Sequence, residues 1–184
     1  MSSQGQRIVG IDPGLRLTGY GCIKTGHQSD DLTMVEAGVI RVPQKRPLHE
    51  RLAYLHDSVA DLLADLSPDV IVVESAFVHR ARAQTALQMG HGRGVILLAA
   101  AQYARAPKQD RSTEVAIIEL SPAEIKQSVT GSGRAAKEQV QHATASILGL
   151  PGPIDQPDAS DALAMAIAGT TRGFAARSSD SATK

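Results

Sequence analysis

The stretch Ile8-Val-Gly-Ile-Asp12-Pro-Gly-Leu-Arg16-Leu-Thr-Gly-Tyr-Gly21 sets the reading of the whole 184-residue chain. With Arg7 it opens as a short apolar strand that ends on a carboxylate, Asp12, and Pro13-Gly14 then imposes a tight turn. Gly19 to Lys24 and Leu32 to Val42 read as two further strands joined by the polar loop Thr25 to Asp31, which predicts a three-stranded meander.

Beyond the meander the pattern changes period. From Leu48 the apolar residues Leu52, Leu55, Val59, Leu62 and Leu66 recur at steps of three and four, with Asp57, Asp61 and Asp65 at other positions, as in an amphipathic helix. After Ser67-Pro68-Asp69 comes Val70-Ile71-Val72-Val73, a continuous β-branched run suited to a central parallel strand buried on both faces, and it too ends on an acid, Glu74. Arg80 to Arg105 reads as a long helix interrupted by Gly90, Gly92 and Gly94, each costing about 1 kcal/mol relative to Ala. Ala86, Gly90 and Gly94 fall on one face, which suits close approach of another helix or a nucleic-acid backbone, although an irregular helix also fits. Glu114 to Leu120 is a fifth strand. Ser121-Pro-Ala-Glu124 then combines an N-cap, a proline at the first helical position and a capping-box glutamate. That helix should break at Thr130-Gly-Ser-Gly133, restart near Ala135 and stop at the loop Gly149 to Pro157. A last helix is expected from about Asp158 to Gly169. The resulting division is a flexible N-terminus over residues 1–6, one domain over residues 7–169 and a loose tail over residues 170–184.

Composition excludes several classes. No apolar run reaches the roughly 18 residues of a membrane span. The start MSSQGQR lacks the apolar core of a secretory signal, and a single cysteine, Cys22, makes no intrachain disulfide, so a reducing cytoplasm is expected. The chain has 19 Lys and Arg against 19 Asp and Glu. Zero net charge argues against a nucleic-acid protein, but the distribution argues for one. No acid lies between Val78 and Gln109, where Arg80, Arg82, Arg93, Arg105 and Lys108 fall. Arg41, Lys45 and Arg46 form a second such stretch, and either one also fits ordinary solvated charge.

The carboxylates carry the chemistry. Asp12 and Glu74 end two strands expected to be neighbours, and functional groups of open sheets gather at strand carboxyl ends. Asp158 and Asp161, spaced i and i+3 at a helix start, share a helical face. Four acids brought together repel one another, and such a cluster normally holds divalent cations; oxygen-only ligands select Mg2+ or Mn2+. Two such ions suit in-line phosphodiester hydrolysis without a protein nucleophile. Taken singly, Asp12 also fits a turn residue, Glu74 a partner for a basic side chain and Asp158 an N-cap. His27, His49, His56, His79, His91 and His142 show no zinc-ligand spacing.

Ile8 to Gly21 closely resembles the opening strand and turn of the RuvC family of Holliday junction resolvases. Val72-Val-Glu74-Ser-Ala-Phe77 looks like the family's second acidic strand, Ala86-Leu-Gln-Met-Gly90 with Arg93-Gly-Val95 its long helix, and Asp158-Ala-Ser-Asp161-Ala-Leu-Ala-Met-Ala-Ile167 its last helix. The likeness runs from about Ile8 to Gly169. It implies an α/β, RNase H-like fold, with a five-stranded mixed sheet in the order 3-2-1-4-5 flanked by helices. It also implies a magnesium-dependent crossover junction endodeoxyribonuclease that makes paired nicks in four-way DNA junctions during recombination and repair.

Carried over by position, the resemblance makes Asp12, Glu74, Asp158 and Asp161 the catalytic metal ligands for two Mg2+ ions, with Mn2+ as a substitute. Lys126 and Lys137 match family lysines near the active site that contact DNA phosphate or stabilise transition-state charge. Phe77 matches an aromatic thought to engage bases at the junction centre. Arg80, Arg82, Arg93 and Arg134 are further expected DNA contacts, Arg134 in the loop Gly131-Ser-Gly-Arg134. That loop lacks the Gly-Lys-Ser/Thr ending of a nucleotide P-loop. Two matched cuts call for a two-fold homodimer, with Ala86, Gly90 and Gly94 as the expected interface, and RuvA and RuvB are the implied partners. Two alternatives stand beside this reading. One is a catalytically inactive junction-binding scaffold; the other, a phosphate-binding domain akin to sugar kinases and actin-like ATPases, lacks the second domain those proteins need.

Overall fold

The structure, a computed structural model, describes residues 5–26, 31–75, 83–107 and 114–180. Strands β1 (Arg7–Asp12), β2 (Leu17–Thr25) and β3 (Leu32–Arg41) form the expected antiparallel meander. Helix α1 (Leu48–Leu66) crosses to β4 (Val70–Glu74), and α2 (Ala83–Arg105) leads to β5 (Ala116–Leu120). Both β4 and β5 run parallel to β1, giving a mixed sheet in the order β3-β2-β1-β4-β5. Three helices follow: α3 (Pro122–Thr130), α4 (Lys137–Ile147) and α5 (Pro157–Asp180). This is the RNase H-like topology. Among the described residues no helix is long and apolar enough to cross a membrane.

Strand alternation divides the interior into two layers. Ile8, Ile23, Val70, Val72 and Leu120 face α3, α4 and α5, whereas Val9, Ile11, Cys22, Ile71 and Val73 face α1 and α2. Val70 to Val73 are fully buried, as a central strand covered on both sides requires. Helix α1 ends at Ser67, whose φ of 48° is left-handed, and its buried stripe is Leu55, Val59, Leu63 and Leu66.

The elements depart from the sequence reading at their ends. Helix α3 begins as expected, with Ser121 and Glu124 completing a reciprocal capping box. Helix α4 starts at Lys137 rather than Ala135, because the Gln139 side chain accepts from the Ala136 backbone N–H at 2.9 Å and so caps the first turn there. Helix α5 does not stop at Gly169 but continues to Asp180. Gly169 is an interior position rather than a cap: a Cβ there would lie 2.5 Å from Val72 Cγ2, so the residue allows the helix to lie against β4. Helix α2 is continuous through its three glycines.

Candidate active site

The residues that face α5 from the two central strands are Ile8, Gly10 and Asp12 on β1, and Val70, Val72 and Glu74 on β4. The same alternation that buries Ile8 and Val72 therefore puts both strand-end carboxylates on the α5 side of the sheet. After Asp12 the chain turns back through Pro13-Gly14, closed by the buried Thr18. Its hydroxyl donates to the Gly14 carbonyl at 2.6 Å and accepts from the Gly14 N–H at 3.3 Å. From the other layer Arg51 Nη2 donates to the Leu15 carbonyl at 2.7 Å, and Gln44 Nε2 reaches the same oxygen at 3.1 Å.

Helix α5 reaches this corner because β1 and β2 present glycine to it. Gly19 pairs with Asp12 and Gly21 with Gly10 in the β1–β2 register. A Cβ at Gly19 would run into the Asp158 carbonyl, one at Gly10 into that of Ala162, and one at Gly21 into Leu163. With those positions bare, the first turns of α5 lie on the strands and bring Asp158 and Asp161 toward Asp12. Asp12, Glu74 and Asp161 line one cavity of about 230 Å³ with Lys126 from α3 and Lys137 and Val140 from α4. Asp158, half-buried in the first turn of α5, stands outside that lining.

The site is strained electrostatically. Burial, then the charges of Glu74, Asp161 and Asp158, push the Asp12 carboxyl from 3.8 up to about 7, against a smaller opposing pull from Lys137. Glu74 is also raised, by burial first and Asp161 second. Lys137 Nζ lies 2.7 Å from Asp161 Oδ2, and that hydrogen bond is the main cause of its raised pKa. Among the described residues no three His, Cys, Asp or Glu side chains converge tightly enough to form a single metal shell. The donor set fits a hard divalent cation even so. It is all oxygen and partly desolvated, and the burial and mutual repulsion that raise Asp12 are what a bound cation would relieve.

The remaining expected residues separate into three groups. Lys126 and Lys137 are at the cavity, while Arg134 lies apart, beside a second, polar cavity with Thr130, Ser132 and Gln139. Phe77, Arg80 and Arg82 lie outside the described residues. Arg93, expected as a DNA contact, is instead turned inward: Nε donates to the Glu74 carbonyl at 2.9 Å and the Nη2 end pairs with Glu119. The physical reason is strand alternation on β5, which turns Leu120 toward α5 and leaves Glu119 on the α2 side. Sequence reasoning missed Glu119, Thr18, Arg51 and Gln44. A charged residue inside the apolar run Ala116-Ile-Ile-Glu119-Leu120 was the available signal for the first; the others bond to backbone oxygens and leave no spacing to read. On α2, Ala86 is half-buried, and Gly90 and Gly94 are exposed, with nothing among the described residues within 4 Å of a Cβ built on either glycine. Leu87, Met89 and Leu98 are exposed on the same helix.

Two acids at adjacent strand ends, two more on a helix pressed against them, and two lysines at the same corner define an RNase H-like domain with a carboxylate-and-lysine site. Comparison with known proteins narrows that class. Residues 8–169 match the family described as Crossover junction endodeoxyribonuclease RuvC, and the chain belongs to this family. The RuvC of Halorhodospira halophila is 41% identical over 162 residues, covering 88% of this chain and 87% of its own length. That of Syntrophotalea carbinolica is 43% identical, covering 88% and 91%. Among solved structures, Thermus thermophilus RuvC in complex with Holliday junction substrate superposes with a TM-score of 0.78 at 28% identity, covering 95% of this chain and 96% of the other.

Proposed function

We propose that the chain is a structure-selective endonuclease that resolves four-way DNA junctions by paired symmetric nicks in recombination and repair, with residues 7–169 as the nuclease domain. The observation that carries this is the meeting of Asp12, Glu74 and Asp161 with Lys126 and Lys137 around one cavity, in a chain of the RuvC family. Asp12, Glu74, Asp158 and Asp161 would hold two Mg2+ ions, with Mn2+ able to replace them. When bound, the ions supply charge neutralisation at the scissile phosphodiester and acidify the attacking water.

The protein's own groups do the rest. Asp12 is paired with Gly19 of β2 and Glu74 with Leu120 of β5, so the main chains that carry these carboxylates are held before a cation is taken up. Lys137, tethered by Asp161, keeps an ammonium at the cavity as negative charge builds on the phosphorane oxygens, and Lys126 offers a second cation to a flanking phosphate. Arg134 contacts the backbone further from the cut. Affinity built on such contacts falls with salt, and selection follows junction shape. Two copies pair through the side of α2 that carries Ala86, Gly90 and Gly94, with exposed Leu98 one turn further on, so that two sites face two strands. RuvA and RuvB are the proposed partners. The work is done in the cytoplasm, where the buried thiol of Cys22, pushed up to about 11 chiefly by burial, stays protonated and inert.

The test is a labelled synthetic junction and a matched linear duplex incubated with Mg2+ or EDTA, beside Asp12→Asn. Paired Mg2+-dependent nicks in the junction alone are expected. Asp12→Asn should lower the rate by roughly a thousand-fold or more, a loss of at least about 4 kcal/mol, with junction binding retained. Tight binding without cutting, in Mn2+ as well, would establish the inactive scaffold instead, and indifference to junctions would end the reading.

A further inference from the structure

Arg93 stands on the side of the sheet away from the carboxylate cavity, yet it touches the backbone of a site residue. The β1–β4 register ends at Ile11 and Val73, one residue short of Glu74, whereas β5 continues alongside with Leu120 opposite Glu74. The Ser75 N–H donates to the Leu120 carbonyl at 2.8 Å and holds the next residue to β5. The Glu74 carbonyl, past the last pair with β1, receives Arg93 Nε at 2.9 Å. The other end of the guanidinium pairs with Glu119 of β5, and the Arg93 side chain is only 20% exposed. A rigid planar donor thus joins α2, the end of β4 and β5 at the point where β4 has run past its pairing with β1.

We infer that Arg93 is a positioning residue for the metal site: it fixes the main chain at Glu74 so that the carboxylate is presented to the cavity in one orientation. This rests on the nuclease reading above for what the cation does, but not for the geometry. A charged residue on the long helix would otherwise be assigned to DNA phosphate, and the two roles differ in what they move. A phosphate contact contributes to junction affinity and to its salt dependence. An outer brace on a ligand contributes to cation affinity, typically by 10- to 100-fold. Lysine cannot span both partners as the forked guanidinium does, so Arg93→Lys recovers only part of the effect. Glu119→Gln leaves the bond to Glu74 and removes the charge that orients the guanidinium, so its effect is smaller than that of Arg93→Gln.

The experiment compares wild type, Arg93→Gln, Arg93→Lys and Glu119→Gln as full chains. Three quantities are read: the Mg2+ concentration for half-maximal junction cleavage, junction Kd against salt in EDTA, and binding of Mn2+ alone without DNA by water-proton relaxation. The expected result is a Mg2+ midpoint and a Mn2+ Kd raised roughly 10- to 100-fold in Arg93→Gln, less in the other two, with junction Kd and its salt slope unchanged. Weaker junction binding with a shallower salt slope and an unmoved Mg2+ midpoint would overturn the inference in favour of a phosphate contact. Lower melting temperatures with unchanged cation dependence would overturn it in favour of a plain structural ion pair. If Arg93→Gln does not fold, the two milder variants decide by the same readings. If wild type fails to cut junctions, the nuclease reading falls, and Mn2+ binding alone still decides the role of Arg93: a raised Kd supports it and an unchanged one overturns it.

Discussion

The two faces of the sheet differ most where β1 and β2 meet their covering helices. On the α1 and α2 side the strands offer Val9, Ile11, Ile71 and Val73 to Leu55, Val59, Leu63 and Ile96, and bulky aliphatic groups fill the layer. On the α5 side β1 and β2 offer Gly10, Gly19 and Gly21, and the helix answers with Ala159, Ala162 and Ala166. The first layer derives its stability from volume. The second packs Ile8, Ile23, Val70 and Val72 in the same way but is thin where these glycines meet α5, and the short helix-to-strand distance there is what brings Asp158 and Asp161 to Asp12. Stability and chemistry are therefore loaded on different faces, and substitutions on each should fail in different ways.

The largest effects come from one change on each face. Leu63→Ala empties a fully buried site in the thick layer and should cost about 2–5 kcal/mol. The folded fraction should still cut junctions within a few-fold of wild type. Gly19→Ala places a methyl group against the Asp158 backbone; overpacking of this kind costs about 1–3 kcal/mol. The cutting rate should fall by roughly a hundred-fold, since a misplacement of about 1 Å is worth that much. Chemical denaturation paired with single-turnover cleavage checks both. Equal losses of activity per kcal/mol on the two faces would break the distinction.

Legibility followed the same division. Periods of two and three to four residues, the β-branched run Val70 to Val73 and the Ser121 capping box delivered the element order, because burial on a sheet or helix face leaves a pattern in the sequence. Asp12 and Glu74 were legible as strand-end acids. The glycines of β1 and β2 were not read as the floor for α5, since a glycine in a strand signals a bulge or a close approach without naming its neighbour. The placement of Arg93 was not legible for a related reason. A long cation on a helix looks the same in sequence whether it faces phosphate or a backbone carbonyl, and the partner that decides it, Glu119, lies 26 positions away. The end of α5 was also set too early, because Gly169 looked like a stop and is a packing position.

A medium effect comes from pH. The folded pKa of Asp12, about 7, lies above its ordinary 3.8, so without metal the folded protein holds a proton that the unfolded chain has released. Stability from this group is therefore complete below about pH 4 and declines as pH rises to about 7; Glu74 acts in the same direction. Lys137, also raised, is charged throughout that window and affects only the alkaline limb. Melting curves in EDTA should show wild type losing stability relative to Asp12→Asn between pH 4 and pH 8 by on the order of a few kcal/mol. Mg2+ should abolish the difference in slope, because cation and proton compete for the same carboxylate. A pH slope unchanged by Asp12→Asn would show that the thin face carries no such repulsion.

The smallest effect should come from Tyr20, which points to the thick side of β2, next in sequence to Gly19 and Gly21. Its hydroxyl donates to Glu36 Oε1 at 2.8 Å across the β2–β3 pair. Burial first, and then the bond to Glu36, push its pKa up to about 12. Tyr20→Phe keeps the ring in place and removes one exposed hydrogen bond, so the cost should be about 0.5–1.5 kcal/mol. Cleavage should not change, because neither atom of that bond faces α5. Absorbance titration should show one tyrosine resisting ionisation until about pH 12 in wild type and absent from the variant. A fall in cleavage larger than the loss of stability explains would mean that β2 transmits strain through its backbone from one face to the other, and the two layers would then be a single mechanical unit.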